Sequence, residues 1–137
     1  MIRRVFGLDR GMLEDCFYIV NQFMDASSRL PLVELNFLVE SGTTVLFVDE
    51  KENGYLTGFV AGGVEQNGAT IDNLFVDKKF HRSGIGSALL KAYEKHARLA
   101  GAKQIKLQSR PTKQALEFYK KHGYVKINWG NYMQKSL

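Results

Sequence analysis

Leu74-Phe-Val-Asp-Lys-Lys-Phe-His-Arg-Ser-Gly-Ile-Gly-Ser-Ala-Leu-Leu90 reads as a strand feeding a long helix through a loop that carries two glycines. Gly84 and Gly86, at the helix start, let the backbone approach a ligand with no Cβ in the way. The first-turn amides of a helix have no partner inside it, and the macrodipole adds partial positive charge there. Such a loop suits a phosphate. Arg82 adds a charged donor, and Ser83 and Ser87 add hydroxyls. Two glycines alone serve a plain strand-to-helix turn equally well. A dinucleotide fingerprint would need a third glycine at Leu89 and an acidic residue roughly twenty positions on. A P-loop would need a lysine after Gly86, where Ser87-Ala88 stand. Nucleotide hydrolysis is therefore disfavoured.

Upstream of this stretch, residues 1–6 predict a short strand, and 11–25 a helix with Leu13, Phe17, Val20 and Met24 on one face. Residues 26–29 break that pattern, and 32–40 predict a second helix with Pro31 near its first turn. From Thr44 the period changes. Runs 44–49, 56–61 and 69–76 are β-branched and aromatic, separated by Asn53-Gly54 and Asn67-Gly68, which predicts an antiparallel meander. After the glycine loop, Ile85, Ala88, Leu89, Ala92, Tyr93 and Leu99 keep one helix side apolar, and Gly101 ends it. Residues 105–109 predict a strand, 113–122 a helix closed by Gly123, 124–129 a strand and 132–135 a last strand. The order is β-α-α-β-β-β-α-β-α-β with a further terminal strand, and residues 1–137 read as one α/β domain.

At 137 residues the chain is long enough to bury a core without metal or disulfide support. Apolar residues are 45% and charged residues 24%, which excludes a disordered class. The first ten residues hold no apolar stretch of signal-peptide or membrane-span length, and the expectation is a cytoplasmic protein away from membranes. Cys16 is the only cysteine and reads as a buried thiol. Net charge is +5, unevenly spread. Residues 1–76 carry five Lys and Arg against eleven Asp and Glu, whereas 77–137 carry fourteen against three. A basic second half suggests an anionic ligand there. The aromatics in that half sit at packing positions, and nucleic acid is excluded as a partner.

His81-Arg82-Ser83-Gly84-Ile85-Gly86 resembles the signature of the GNAT superfamily of acetyl-CoA-dependent N-acyltransferases: Gln or Arg, two residues, Gly, one residue, then Gly or Ala. His81 departs from the usual Gln or Arg. The segment 107–124 is similar to the family's second cofactor motif through Ala115, Phe118-Tyr119 and Gly123-Tyr124, with Thr112 where Asn is usual. The resemblance covers residues 70–124. It implies a mixed central sheet with helices on both faces, whose strands ending at Val76 and Ser109 splay apart to admit the pantetheine arm. It also implies acetyl-CoA as acetyl donor and an amine as acceptor. Cofactor contacts fall to Leu74, Phe75 and Val76 through the backbone, to His81, Arg82, Ser83, Gly84, Ile85, Gly86 and Ser87 in the loop, and to Thr112, Ala115, Phe118 and Tyr119. The acceptor side is bordered by residues 21–30 and 129–131.

An amine near pKa 10 must lose a proton before it attacks a thioester, and the departing thiolate needs stabilisation. The motif match makes Tyr119 the general acid. A phenol near 10 protonating a thiolate near 8.5 works uphill by about 2 kcal/mol. Asp72 is the candidate base, since alternation along the strand puts it on the face of Leu74 and Val76. Glu65 and bulk water are its rivals. His81, His96 and His122 lack metal-ligand spacing, so no metal is expected. A non-catalytic CoA sensor or partner-docking module is the alternative function, motivated by His81 and Thr112, and a homodimer is left open.

Overall fold

β-branched and aromatic runs flanking Asn53-Gly54 form the predicted meander, with Gly54 at φ +83°, a conformation that glycine adopts freely. In the computed structural model, which describes residues 1–24, 32–128 and 130–137, Ile2–Val5 (β1), Val45–Glu50 (β2), Leu56–Val64 (β3) and Ala69–Val76 (β4) pair antiparallel in that order. Gln104–Gln108 (β5) joins β4 in parallel, and Tyr132–Ser136 (β7) lies between β5 and the two-residue Val125–Lys126 (β6). The result is a mixed seven-stranded sheet.

Helices Arg10–Val20 (α1) and Leu32–Glu40 (α2) cover one face, where Cys16, Ile19, Leu35 and Val39 pack on Leu46, Phe59 and Phe75. Ile85–Leu99 (α3) and Lys113–Lys121 (α4) cover the other, where Leu89, Leu90 and Tyr93 pack on Val60, Ile71 and Ile105. The expected α/β class with helices on both faces is what forms. Among the described residues no helix is long and apolar enough to cross a membrane.

Three local expectations are corrected. Of the expected face, Leu13, Val20 and Met24 pack toward the core, joined by Cys16 and Ile19, but Phe17 is turned outward at 37% exposure, because the helix is apolar on more than one side. Leu99, placed on the apolar side of α3, is 79% exposed, since the helix end overhangs its layer. The strand expected over 124–129 shortens to β6, and Tyr124 instead buries its ring against α3. The break expected over 26–29 and Pro31 lie outside the described residues.

Two irregularities shape the centre. The β3–β4 register pairs Ala61 with Asn73 but Gly62 with Ile71, so Asp72 is an extra, unpaired residue, a β-bulge. At the same place a Cβ on Gly62 would lie 2.0 Å from the Thr70 carbonyl oxygen and 2.6 Å from the Tyr93 hydroxyl. That hydroxyl stands 2.9 Å from the Thr70 carbonyl and 3.0 Å from that of Gly63, its one hydrogen shared between them. Helix α3 is thereby pinned to the bulge. The parallel ladder of β4 with β5 runs only from Ala69/Ile105 to Ile71/Leu107. Beyond it the two strands splay.

Candidate functional site

The splay opens into a cavity of about 580 Å³. One wall is β4 from Ile71 to Val76, a second is the loop and first turn of α3, a third is α4, and a fourth is the end of β5 with Phe23 and Met24 beyond α1.

The loop earns its shape from its backbone. Arg82 at φ +65° and Gly84 at φ +84° both take the left-handed conformation, which is costly for a side-chain-bearing residue such as Arg82. Alternation of this kind turns successive N–H groups inward and makes an anion-binding concavity. Asp9 caps α1 by accepting the Met12 amide, and Thr112 caps α4 by accepting the Ala115 amide at 3.2 Å. Gly84, at the start of α3, offers no side-chain cap. The first-turn amides of α3 therefore remain available to an outside acceptor. A Cβ on Gly86 would rest 3.5 Å from the Phe118 ring, an ordinary contact that alanine would also make.

His81, the departure from the motif, holds the loop to the strand. Its Nε2 donates to the Val76 carbonyl at 2.9 Å, and its ring stacks on Phe23 at 5.7 Å between centroids. Asp77, nearly fully buried, starts the short turn Lys78–Phe80 by accepting the Lys79 amide at 3.0 Å. The Ser87 hydroxyl lies 2.9 Å from His122 Nε2.

Of the expected cofactor contacts, Leu74, Phe75, Val76, His81, Arg82 and Gly84 lie on the cavity wall, as do Ile85, Gly86, Ser87, Ala115, Phe118 and Tyr119. Ser83 and Thr112 do not. The Ser83 hydroxyl bonds the Phe80 carbonyl, and Thr112 is the α4 cap. Asp72 is on the wall, though the bulge interrupts the alternation that was to align it with Leu74 and Val76. Burial pushes its carboxyl above the usual range. Glu65, exposed at the turn between β3 and β4, is not on the wall. Burial pushes the Tyr119 phenol up to about 12, against an opposing pull from Arg110.

The cavity also includes residues that sequence reasoning passed over. Phe23 and Met24 fall within the expected acceptor-side segment 21–30, so a signal for them existed; residues 25–31 and Trp129 are outside the described set. Arg110, two residues past the end of β5, crosses the cleft and lays its guanidinium over Phe23 at 4.6 Å. Its one sequence signal is its place just after a strand terminus, where ligand sites of α/β sheets gather.

With this geometry in hand, comparison with known proteins gives a consistent picture. The acetyltransferase (GNAT) domain family model matches residues 26–135. An N-acetyltransferase of Bacillus subtilis strain 168, YjcF, described as uncharacterised, is 26% identical over 123 residues, covering 90% of this chain and 85% of that protein. Among solved structures, a GNAT-family acetyltransferase from Staphylococcus aureus Mu50 superposes with a TM-score of 0.82 at 16% identity, covering 100% of this chain and 99% of that one. The PaiA N-acetyltransferase of Thermoplasma acidophilum, in complex with coenzyme A, gives 0.77 at 19% identity, with the same coverage.

Proposed function

This chain belongs to the GNAT acetyltransferase family, and from that premise we propose that it moves the acetyl group of acetyl-CoA directly to a primary amine of a small molecule, peptide or protein. The uncapped N-terminus of α3, opening on the cavity between the splayed β4 and β5, carries this reading. It accepts the pyrophosphate, with Arg82 alongside, and leaves the remainder of the cavity to run toward Tyr119. Crystallisation of the PaiA relative with coenzyme A supports the same ligand here.

In the reaction the amine nitrogen attacks the thioester carbonyl carbon, the C–S bond breaks, and the thiolate is released. Asp72, its basicity increased by burial, takes the proton from the incoming ammonium. Tyr119 faces a steeper task than a free phenol. From about 12 to a thiol near 8.5, full proton transfer is uphill by about 5 kcal/mol. The phenol therefore acts first as a hydrogen-bond donor to sulfur as its charge develops, and yields the proton late. His81 and Thr112, the two departures that favoured a non-catalytic CoA sensor, each hold part of the site in place. Their employment removes the ground on which the sensor was favoured.

Calorimetry with CoA, and thiol release from acetyl-CoA with an amine library, test the proposal. CoA binding with thiol release that drops in Tyr119→Phe is the expected result. Binding without release from any amine would return the protein to the sensor reading.

A further inference from the structure

Among the described residues, four charged side chains line the cavity: Asp72, Arg82, Arg110 and Lys121. Arg82 belongs to the glycine loop, and Lys121 adjoins His122, which is bonded to Ser87 of the same cradle. Both therefore stand with the phosphates. Arg110 is placed differently. Phe23, the ring beneath it, packs at 5.7 Å on Phe75, whose side chain belongs to the α1 and α2 layer, whereas the cradle and Tyr119 belong to the α3 and α4 layer. The guanidinium thus enters from the α1 side of the cavity, against the ring on which His81 stacks, whereas the Ile85 turn of the cradle packs with the α3 and α4 layer.

This cation is also unmatched. Among the described residues no carboxylate pairs with Arg110, and none of its N–H groups finds a protein acceptor. It is half-buried all the same, with its plane held by an aromatic ring. Its nitrogens are open to the cavity, and a guanidinium presents a rigid fork of donors that fits a carboxylate in two parallel hydrogen bonds. Its charge is felt by Tyr119, which places it within electrostatic reach of the reacting end of the cleft.

We propose that Arg110 is the specificity residue for the acceptor, binding a carboxylate carried on the same molecule as the reacting amine. The acceptors are then amino acids and related amine carboxylates. The proposal rests on the acetyltransferase reading above. Asp72 and Arg110 together give the free part of the cavity one negative and one positive wall, a match for a zwitterion and a poor match for a polyamine.

The test compares standard amino acids, β-alanine and 4-aminobutyrate with their carboxamides as acceptors for wild type, Arg110→Gln and Arg110→Lys. N-acetylated amino acids and their amides are also titrated calorimetrically into CoA-saturated protein. Wild type should favour the acids by about tenfold to a hundredfold in kcat/KM, the worth of a charged hydrogen-bonded pair. Arg110→Gln should erase that preference through KM, while the fall in kcat that comes from a higher Tyr119 phenol should be the same for acids and amides; Arg110→Lys should retain part of the preference, and CoA affinity should stay unchanged in both. The proposal is overturned if amides serve wild type as well as acids, if the preference survives Arg110→Gln, or if that variant loses CoA affinity to the same degree. Absence of turnover with every acceptor would instead sink the transferase reading. The product titration still decides Arg110 in that case: binding of N-acetyl amino acids that Arg110→Gln abolishes supports the site, and no binding to wild type overturns it.

Discussion

His122 Nε2 and the Ser87 hydroxyl, 2.9 Å apart, join the end of α4 to the first turn of α3. Burial lowers the imidazole below its ordinary value; Glu94 pulls it up, while Lys91, Lys135 and Lys121 push it further down. The uncharged ring is thus favoured while the cradle is free. A phosphate bound at Ser87 adds negative charge nearby and must raise the imidazole pKa. CoA binding should then take up protons across the interval between the lowered free value and the raised bound value, and tighten as pH falls through that interval. Calorimetry in two buffers of different ionisation enthalpy measures the uptake. His122→Gln should remove the imidazole's share and leave only that of the CoA phosphates; an unchanged uptake would refute the coupling.

Gly62 should tolerate no side chain. A methyl group there meets the Thr70 carbonyl at 2.0 Å and the Tyr93 hydroxyl at 2.6 Å, and the carbonyl is backbone that cannot step aside. Gly62→Ala is expected to cost about 3 kcal/mol, at the upper end of overpacking penalties. Tyr93→Phe, which forfeits only the shared hydrogen bond, should cost about 1–2 kcal/mol. Urea unfolding of both variants gives the comparison.

Tyr119 and Asp72 leave separate marks on a pH profile. With its phenol pushed up to about 12, Tyr119 stays protonated through the working range, so its ionisation should cause no loss of rate between about pH 6 and 10. Tyr119→Phe should lower kcat by about a hundredfold, a typical loss for a general acid. Activity should rise with pH through the elevated Asp72 value, and Asp72→Asn should delete that limb. The limb set by the acceptor amine near pH ~10 is common to both proteins.

Gly84 separates backbone strain from crowding. Nothing lies within 4 Å of a Cβ placed there, yet its φ is +84°. Gly84→Ala should therefore cost about 1–2 kcal/mol of left-handed strain wherever the loop keeps its shape. CoA titration should show weaker binding by about tenfold with only a small fall in melting temperature.

The loop and its helix were legible because their signals are local: glycines at a helix start, apolar spacing after it, and Asn-Gly turns before it. Ala115, Phe118 and Tyr119 were legible as a second pattern at the right distance. The reach of Arg110 to Phe23 was not, because it joins residues 87 positions apart through a cleft that exists only once β4 and β5 diverge. His122 has no metal-ligand spacing, and its bond to Ser87 spans 35 positions and depends on how α4 docks. The bulge was invisible for a similar reason. A lone strand shows strict alternation, and only the partner's register shows where a residue has been added.

That added residue means that β4 is specified by where it bulges as much as by its composition. Ile71 faces the α3 layer, and after Asp72 it is Leu74 and Val76 that pack with that layer, while Phe75 goes to the α1 side. An unbulged strand that kept Asp72 would send each of these three side chains to the wrong layer, whereas removing Asp72 would leave them where they are, because Gly62 with Ile71 and Ala61 with Asn73 would then follow as regular pairs of the ladder. The two interiors do not need the extra residue, and what it adds to the strand is a carboxylate on the cavity wall.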